Sequence, residues 1–197
     1  MQLVEDLQGL NIYLVGMMGS GKSTIGRSLA HRLNYRYFDT DVLIERTTQK
    51  SITNIFAEEG ETYFRNLETE VLHQVSPYYK SVISTGGGII LKPQNWSYLR
   101  EGLVIWLNVA LEAIEERLRG DQTRPLLKAH EEEDALKTKL IQLWQERQHL
   151  YRQADLTIAI ASNSQSSNET VEIILERMPE VLKTKPELQQ EHQNHHN

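Results

Sequence analysis

The 197-residue sequence predicts an α/β fold: a five-stranded parallel sheet flanked by helices on both faces. Three observations predict it. Short apolar runs read as continuous rather than alternating, as strands buried on both faces do. Between them lie segments whose apolar residues recur at helical spacing. The first and third runs lead into glycines. Strands alternating with helices in this way belong to a sheet covered on both sides.

The first strand covers residues 11–15 and ends at Gly16. A helix over 22–33 follows, with Ile25, Leu29 and Leu33 four apart on one face. Residues 35–38 read as the second strand. Residues 42–75 read as helical, with a break near Gly60. The third strand, 81–84, leads into Gly86, Gly87 and Gly88, and the fourth, 103–107, into a helix over 111–119. The polar, Pro-containing stretch 121–130 predicts a mobile loop. A long helix over 131–151, a fifth strand over 156–160 and a last helix over 169–178 complete the order. Residues 183–197 are rich in Gln, His and Asn with almost nothing to bury, which predicts a disordered polar tail. Its His192, His195 and His196 read as solvated rather than metal-ligating. Residues 1–182 form one domain on this reading.

Composition narrows the function. Twenty-seven Asp and Glu against 21 Lys and Arg give a net charge of −6, against a nucleic-acid or anionic-membrane partner, although not against a local cluster of arginines. No cysteine occurs, so disulfides, thiolate metal sites and cysteine nucleophiles are excluded. Glu5 and Asp6 stand where a signal peptide carries Lys or Arg. The longest apolar stretch, 12–18, is far below the roughly 20 residues of a spanning helix. A cytoplasmic protein is expected.

Gly16-Met17-Met18-Gly19-Ser20-Gly21-Lys22-Ser23 matches G-x-x-x-x-G-K-[ST] between a strand and a helix. Glycines there let successive N–H groups point at phosphate oxygens, and the helix adds its positive dipole end. Lys22 is expected to reach the outer phosphates and Ser23 to give a hydroxyl to Mg²⁺. The backbone and side chains of Gly19, Ser20, Gly21, Lys22, Ser23 and Thr24 are thus the candidate nucleotide site.

Asp39-Thr40-Asp41 follows the second strand, at the sheet edge where α/β proteins bind ligands. Two carboxylates there can hold Mg²⁺ through water and accept a proton from a hydroxyl; an N-cap at Asp39 or Thr40 for the helix beginning near Val42 would explain one acidic residue, and two around a threonine favour function. On the helix over 131–151, Leu136, Leu140, Leu143, Trp144 and Leu150 share one arc, and Arg147 projects into its middle. A buried guanidinium needs an anionic partner, either a ligand or an internal acid. Phe64, Leu67, Val71, Leu72 and Val75 form a second stripe with Glu68 inside it and Arg65 on its border, spaced to pair along one face. The glycines at 86–88 suit close approach of backbone to a ligand. Arg117, Arg119 and Arg124 bracket the segment 119–130, which suits a lid delivering positive charge.

GMMGSGKST, FDTD, IFAEEGETYFRNLE, STGGG, TRPLL and RQHLY, in this order and at these intervals, resemble the shikimate kinase family, in the nucleoside-monophosphate-kinase branch of P-loop proteins. The similarity runs from Asn11 to about Met178. It implies a small helical substrate-binding region at about 40–75, a lid at about 119–130, and transfer of phosphate from ATP, with Mg²⁺, to the 3-hydroxyl of shikimate. By resemblance, Asp41 holds and deprotonates the acceptor hydroxyl, and Asp39 supports Mg²⁺ through water. Arg65 and Arg147 clamp the shikimate carboxylate, and Glu68 orients the site. Gly86, Gly87 and Gly88 contact the substrate through their amides, with Gly87 placed best. Arg124 meets the transferring phosphate and Arg117 packs against adenine. The acidic insert over 130–134 and the variable loop near 161–167 depart from the family pattern. A monomer with shikimate and ATP as its partners is expected. Two rivals stand beside this: a gluconate-type kinase on the same fold, and a non-catalytic binding module.

Overall fold

The computed structural model describes residues 2–119 and 133–184. The expected lid, with Arg124, and the tail beyond Thr184 lie outside the described residues. Five strands form one sheet: β1 Ile12–Val15, β2 Arg36–Asp39, β3 Ser81–Ser84, β4 Leu103–Val109 and β5 Leu156–Ile160. All pairs are parallel and the order is β2-β3-β1-β4-β5. β1 sits in the middle, with Ile12 opposite both Val82 and Leu103. Every residue of β1 and β3 is buried, which is why they carry no polar alternation. Because the strands run the same way, the ends of β1, β2 and β3 meet at one edge. The chain turns direction in the sheet beside β1, the position where such sheets bind ligands.

Nine helices lie among the described residues: α1 Gln2–Asp6, α2 Lys22–Leu33, α3 Thr40–Thr48, α4 Ile52–Glu58, α5 Gly60–Val75, α6 Pro93–Leu99, α7 Leu111–Leu118, α8 Glu133–Tyr151 and α9 Ser167–Thr184. α2 packs on β3 and α9, and α9 on β5 and α1. α5 contacts α6, and α7 contacts α8. The stretch read as one helix broken near Gly60 is three helices. Gln49 adopts a left-handed conformation (φ 55°) that ends α3, and Ser51 caps α4 by accepting from the Asn54 N–H at 3.2 Å. Ile44, Ile55, Phe64 and Val71 make a small core of their own between α3, α4 and α5.

Two helices escape a periodicity reading because they are too short to show a period. α1 precedes Leu7 and Leu10, which are fully buried. α6 starts at Pro93, where a missing N–H costs nothing, and buries Trp96 and Leu99. The Trp96 indole N–H donates to Ile90 O at 3.1 Å and the Asn95 amide to Ile89 O at 2.7 Å, fixing the single 3₁₀ turn Ile89–Leu91 after the glycines. α9 runs past Met178 and through Pro179 to Thr184. Proline removes a helix hydrogen bond, but burial of Met178 and Leu182 on the same core keeps the last turns in place.

Asn11 ties the lower sheet edge together. Its amide nitrogen donates to Ser76 O at 3.0 Å and to Tyr78 O, and its oxygen accepts from the Ser81 N–H at 3.1 Å. Asn11→Ala orphans these backbone groups, so urea unfolding should show a loss of about 2 kcal/mol. A loss under a few tenths would mean that water replaces the side chain there.

Candidate active site

The loop between β1 and α2 curls as its glycines require, with Gly19 at φ 73° and Gly21 at φ 89°. No side chain caps α2, so its first amides face the loop's interior. Lys22 is buried, and its ammonium donates to Gly16 O at 2.9 Å, Met17 O at 2.8 Å and Ser20 Oγ at 3.3 Å. The charge is held over the loop rather than in solvent. Ser84 Oγ donates to Lys22 O at 2.8 Å, tying the start of α2 to the end of β3.

Asp39 caps α3 with one carboxylate oxygen and turns the other toward the phosphate loop. Its Oδ1 caps α3, accepting from the N–H groups of Asp41 (3.2 Å) and Val42 (3.4 Å). Its Oδ2 accepts from the Ser23 hydroxyl at 2.7 Å and from Tyr37 at 3.1 Å. α3 therefore begins at Thr40, two residues before its expected start, and places Asp41 on its first turn.

The three glycines after β3 each abut a charged part of the site. A Cβ on Gly86 would lie 2.7 Å from Asp41 Oδ1 and closer still to Glu68 Oε1. The Gly87 carbonyl accepts from Tyr151 OH at 2.6 Å and from Arg147 Nη1 at 3.4 Å, while a Cβ there would sit 3.3 Å from the Met18 N–H nitrogen of the phosphate loop. A Cβ on Gly88 would overlap the Arg65 guanidinium. Only glycine fits at Gly86 and Gly88, and the reason is contact with α3 and α5. The Gly86 N–H donates to Thr40 Oγ1 at 3.0 Å, so the substrate contact expected of that amide is already taken within the fold.

Arg65, Glu68 and Arg147 are 8%, 0% and 3% exposed. Arg65 pairs with Glu68 at 2.5 Å and with Glu61 at 2.8 Å, and lies over the Phe64 ring at 5.3 Å. Arg147 forms no ion pair within 4 Å among the described residues, and its Nε has no hydrogen-bond partner there. Glu68 Oε1 is likewise buried without a partner. Burial pushes the Glu68 carboxyl up to about 7 against the lowering pull of Arg65; Asp41 pushes it higher and Arg147 pulls it down. The two arginines, from α5 and α8, thus act on one carboxylate from different elements. Burial likewise holds the Tyr151 phenol up at about 12.

On the far side of the phosphate loop a cleft of about 230 Å³ is lined by Thr24, Ile25, Arg117, Ile160, Gln165 and Thr170, among others. Arg117 is pinned there: Nε donates to Asn163 Oδ1 at 2.6 Å and Nη1 to Gly19 O at 3.0 Å. The sequence reading assigned no site role to Thr40, Glu61, Tyr151, Asn163 or Gln165. Tyr151 and Glu61 carried a local signal, each four residues from a buried arginine. The other three act through residues 46 or more positions away or through a loop without periodicity.

A strand–glycine loop–helix at the middle of a 2-3-1-4-5 parallel sheet, with a second set of charged groups facing it across the glycine turn, defines a P-loop phosphotransferase fold. The comparisons carry this further. The shikimate kinase family model matches residues 18–179. The chain is 56% identical over 184 residues to shikimate kinase of Rippkaea orientalis, covering 93% of this chain and 96% of that one. It superposes on shikimate kinase from Acinetobacter baumannii in complex with shikimate with a TM-score of 0.79, at 36% identity, covering 93% and 98% of the two chains. A gluconokinase from Sinorhizobium meliloti shares the fold alone, at 17% identity and a TM-score of 0.52. The chain belongs to the shikimate kinase family.

The raised Glu68 carboxyl has a consequence for stability. The folded state holds its proton more tightly than the unfolded chain, so the contribution is complete below pH 4.5 and is lost as pH rises through about 7. Thermal unfolding between pH 4.5 and 8 should therefore show a steeper fall for wild type than for Glu68→Gln. Parallel curves would show that Glu68 does not titrate in that window.

Proposed function

We propose that this chain transfers the γ-phosphoryl group of ATP to the 3-hydroxyl of shikimate, giving shikimate 3-phosphate and ADP. One observation carries the reading: two buried arginines from separate helices reach the same glycine turn that bears Asp41 on one side and the phosphate loop on the other. The sequence similarity supports the same acceptor, since the related Acinetobacter baumannii enzyme holds shikimate. Gluconate shares a carboxylate and hydroxyls with shikimate, but likeness to a gluconokinase extends only to the fold.

In this reading the amides of Gly19, Ser20 and Gly21 and the start of α2 bind the β- and γ-phosphates. Lys22 exchanges the Gly16 and Met17 carbonyls for phosphate oxygens. Arg65 and Arg147 hold the shikimate carboxylate, Arg65 with its fork already oriented by Glu61 and Glu68. The Gly87 and Gly88 amides and Glu68 set the ring's position. Asp41 then accepts the proton of the 3-hydroxyl as its oxygen attacks in line. Arg117 packs against adenine, and Arg124, outside the described residues, is assigned to the transferring phosphate. The Ser23 hydroxyl and Asp39 carboxylate, 2.7 Å apart, are hard oxygen donors that suit Mg²⁺, Asp39 through water. When bound, Mg²⁺ neutralises developing phosphate charge. Rate comes from alignment and charge, because the protein makes no covalent bond to the phosphoryl group.

An ADP-release assay with shikimate and gluconate tests the acceptor. Turnover with shikimate and none with gluconate is expected; turnover with gluconate alone overturns the reading. Arg147→Leu should raise KM for shikimate by about 10- to 100-fold. Its melting temperature should stay level or rise, since a buried cation is removed. Unfolding with shikimate affinity kept would instead make Arg147 a structural residue. Asp41→Asn should lower kcat by about 100-fold or more with ADP affinity retained, and an unchanged kcat removes Asp41 as the base.

A further inference from the structure

Two of the three carbonyls in the glycine turn are used inside it: Gly86 O accepts from the Ile89 N–H at 3.1 Å and Gly88 O from the Leu91 N–H at 3.0 Å. The Gly87 carbonyl is turned to α8, where Arg147 and Tyr151, about one helical turn apart, both reach it. The two contacts are unequal. Tyr151 OH donates at 2.6 Å, whereas Arg147 Nη1 stands at 3.4 Å, longer than an ordinary N–H···O bond. Tyr151 is held in place on every side. It is fully buried, and its ring stacks on Trp106 with centroids 5.7 Å apart and planes 17° from parallel. The chain after it is fastened down as well: the Ala154 N–H donates to Tyr151 O at 3.0 Å and the Asp155 N–H to Val104 O of β4 at 2.9 Å. The phenol keeps its proton throughout the neutral range, because burial holds it up at about 12, so it remains a donor.

Arg147 is held loosely by comparison. Its Nε has no hydrogen-bond partner and it forms no ion pair within 4 Å among the described residues. One carbonyl thus meets a neutral donor at short range and a cationic donor at long range. Hydrogen bonds from charged donors are the stronger kind, so the distances follow from the rigid seating of Tyr151 and not from intrinsic preference. With the phenol removed, Arg147 is the donor already aimed at Gly87 O, and closing that gap would tie the guanidinium to the turn.

We infer that Tyr151 is a positioning residue: its hydroxyl occupies the Gly87 carbonyl and so keeps Arg147 available to the acceptor's carboxylate. The inference rests on the role of Arg147 proposed above. Steady-state kinetics of the full chain with shikimate and ATP test it in wild type, Tyr151→Phe, Arg147→Leu and the double variant. Tyr151→Phe keeps the ring on Trp106, so its melting temperature should stay within a few degrees of wild type. Its KM for shikimate should rise by about three- to tenfold, with kcat and the KM for ATP changed by less than about twofold on the same scale. In the Arg147→Leu background the same substitution should change the KM for shikimate by less than about twofold, because the group it acts through is gone. An unchanged KM for shikimate in Tyr151→Phe overturns the inference. So does an equal rise in the KM for ATP, the same rise in both backgrounds, or loss of the fold, each of which would make the hydroxyl a structural group only. Failure of the acceptor reading would look different: wild type itself would not phosphorylate shikimate.

Discussion

Four ionised or ionisable groups meet at one turn because that turn has no side chains. Gly86 leaves room for Asp41 and Glu68, Gly88 leaves room for Arg65, and the Gly87 carbonyl takes hydrogen bonds from α8. A methyl group at Gly86 or Gly88 would collide with a charged group that is itself buried and so has nowhere to retreat. The cost of this arrangement is electrostatic. Two guanidinium groups and the Glu68 carboxylate are taken out of water, which is tolerable only if they neutralise one another. Arg65 and Glu68 do so directly. Arg147 is balanced only at longer range, and a substrate carboxylate is the partner that the proposed reaction supplies.

The sheet and the small helical core divide the labour around this turn. The parallel sheet brings the ends of β1, β2 and β3 side by side, so the phosphate loop, Asp39 and the glycines arrive at one edge without long connections. The cluster of Ile44, Ile55, Phe64 and Val71 fixes α3, α4 and α5 to one another, and thereby the angle at which Asp41 and Arg65 face the glycines. Tyr151 does the same from the opposite side. It is fully buried, lies against Trp106 of β4 at 5.7 Å, and ends on the Gly87 carbonyl. The acceptor side of the site is therefore braced by apolar packing, while the polar atoms only finish it.

The side proposed for the nucleotide is built by a different means. Arg117 joins α7, the phosphate loop and the loop after β5 through hydrogen bonds at partly exposed atoms. Ser166 and Glu169 form a capping box at the start of α9 that fixes that loop locally. Hydrogen bonds rather than a hydrophobic core set this half of the site.

Much of this was legible along the chain. Continuous apolar strands, the phosphate-loop motif, and the intrusion of Arg147 and Glu68 into apolar stripes are local patterns. Burial of a helix face leaves a periodic trace whatever it is buried against. The short helices α1 and α6 left no such trace, and the breaks around Gln49 and Ser51 depended on single residues. Partnership was decided only by the tertiary structure. Asp39 both caps α3 and holds Ser23, Arg65 is shared between Glu61 and Glu68 while Arg147 has no ion pair among the described residues, and the Gly86 amide is taken by Thr40. Gly87 and Tyr151 are 64 positions apart. Sequence spacing along one element states which side is inward, but which groups meet there depends on how separate elements are brought together by packing of the core.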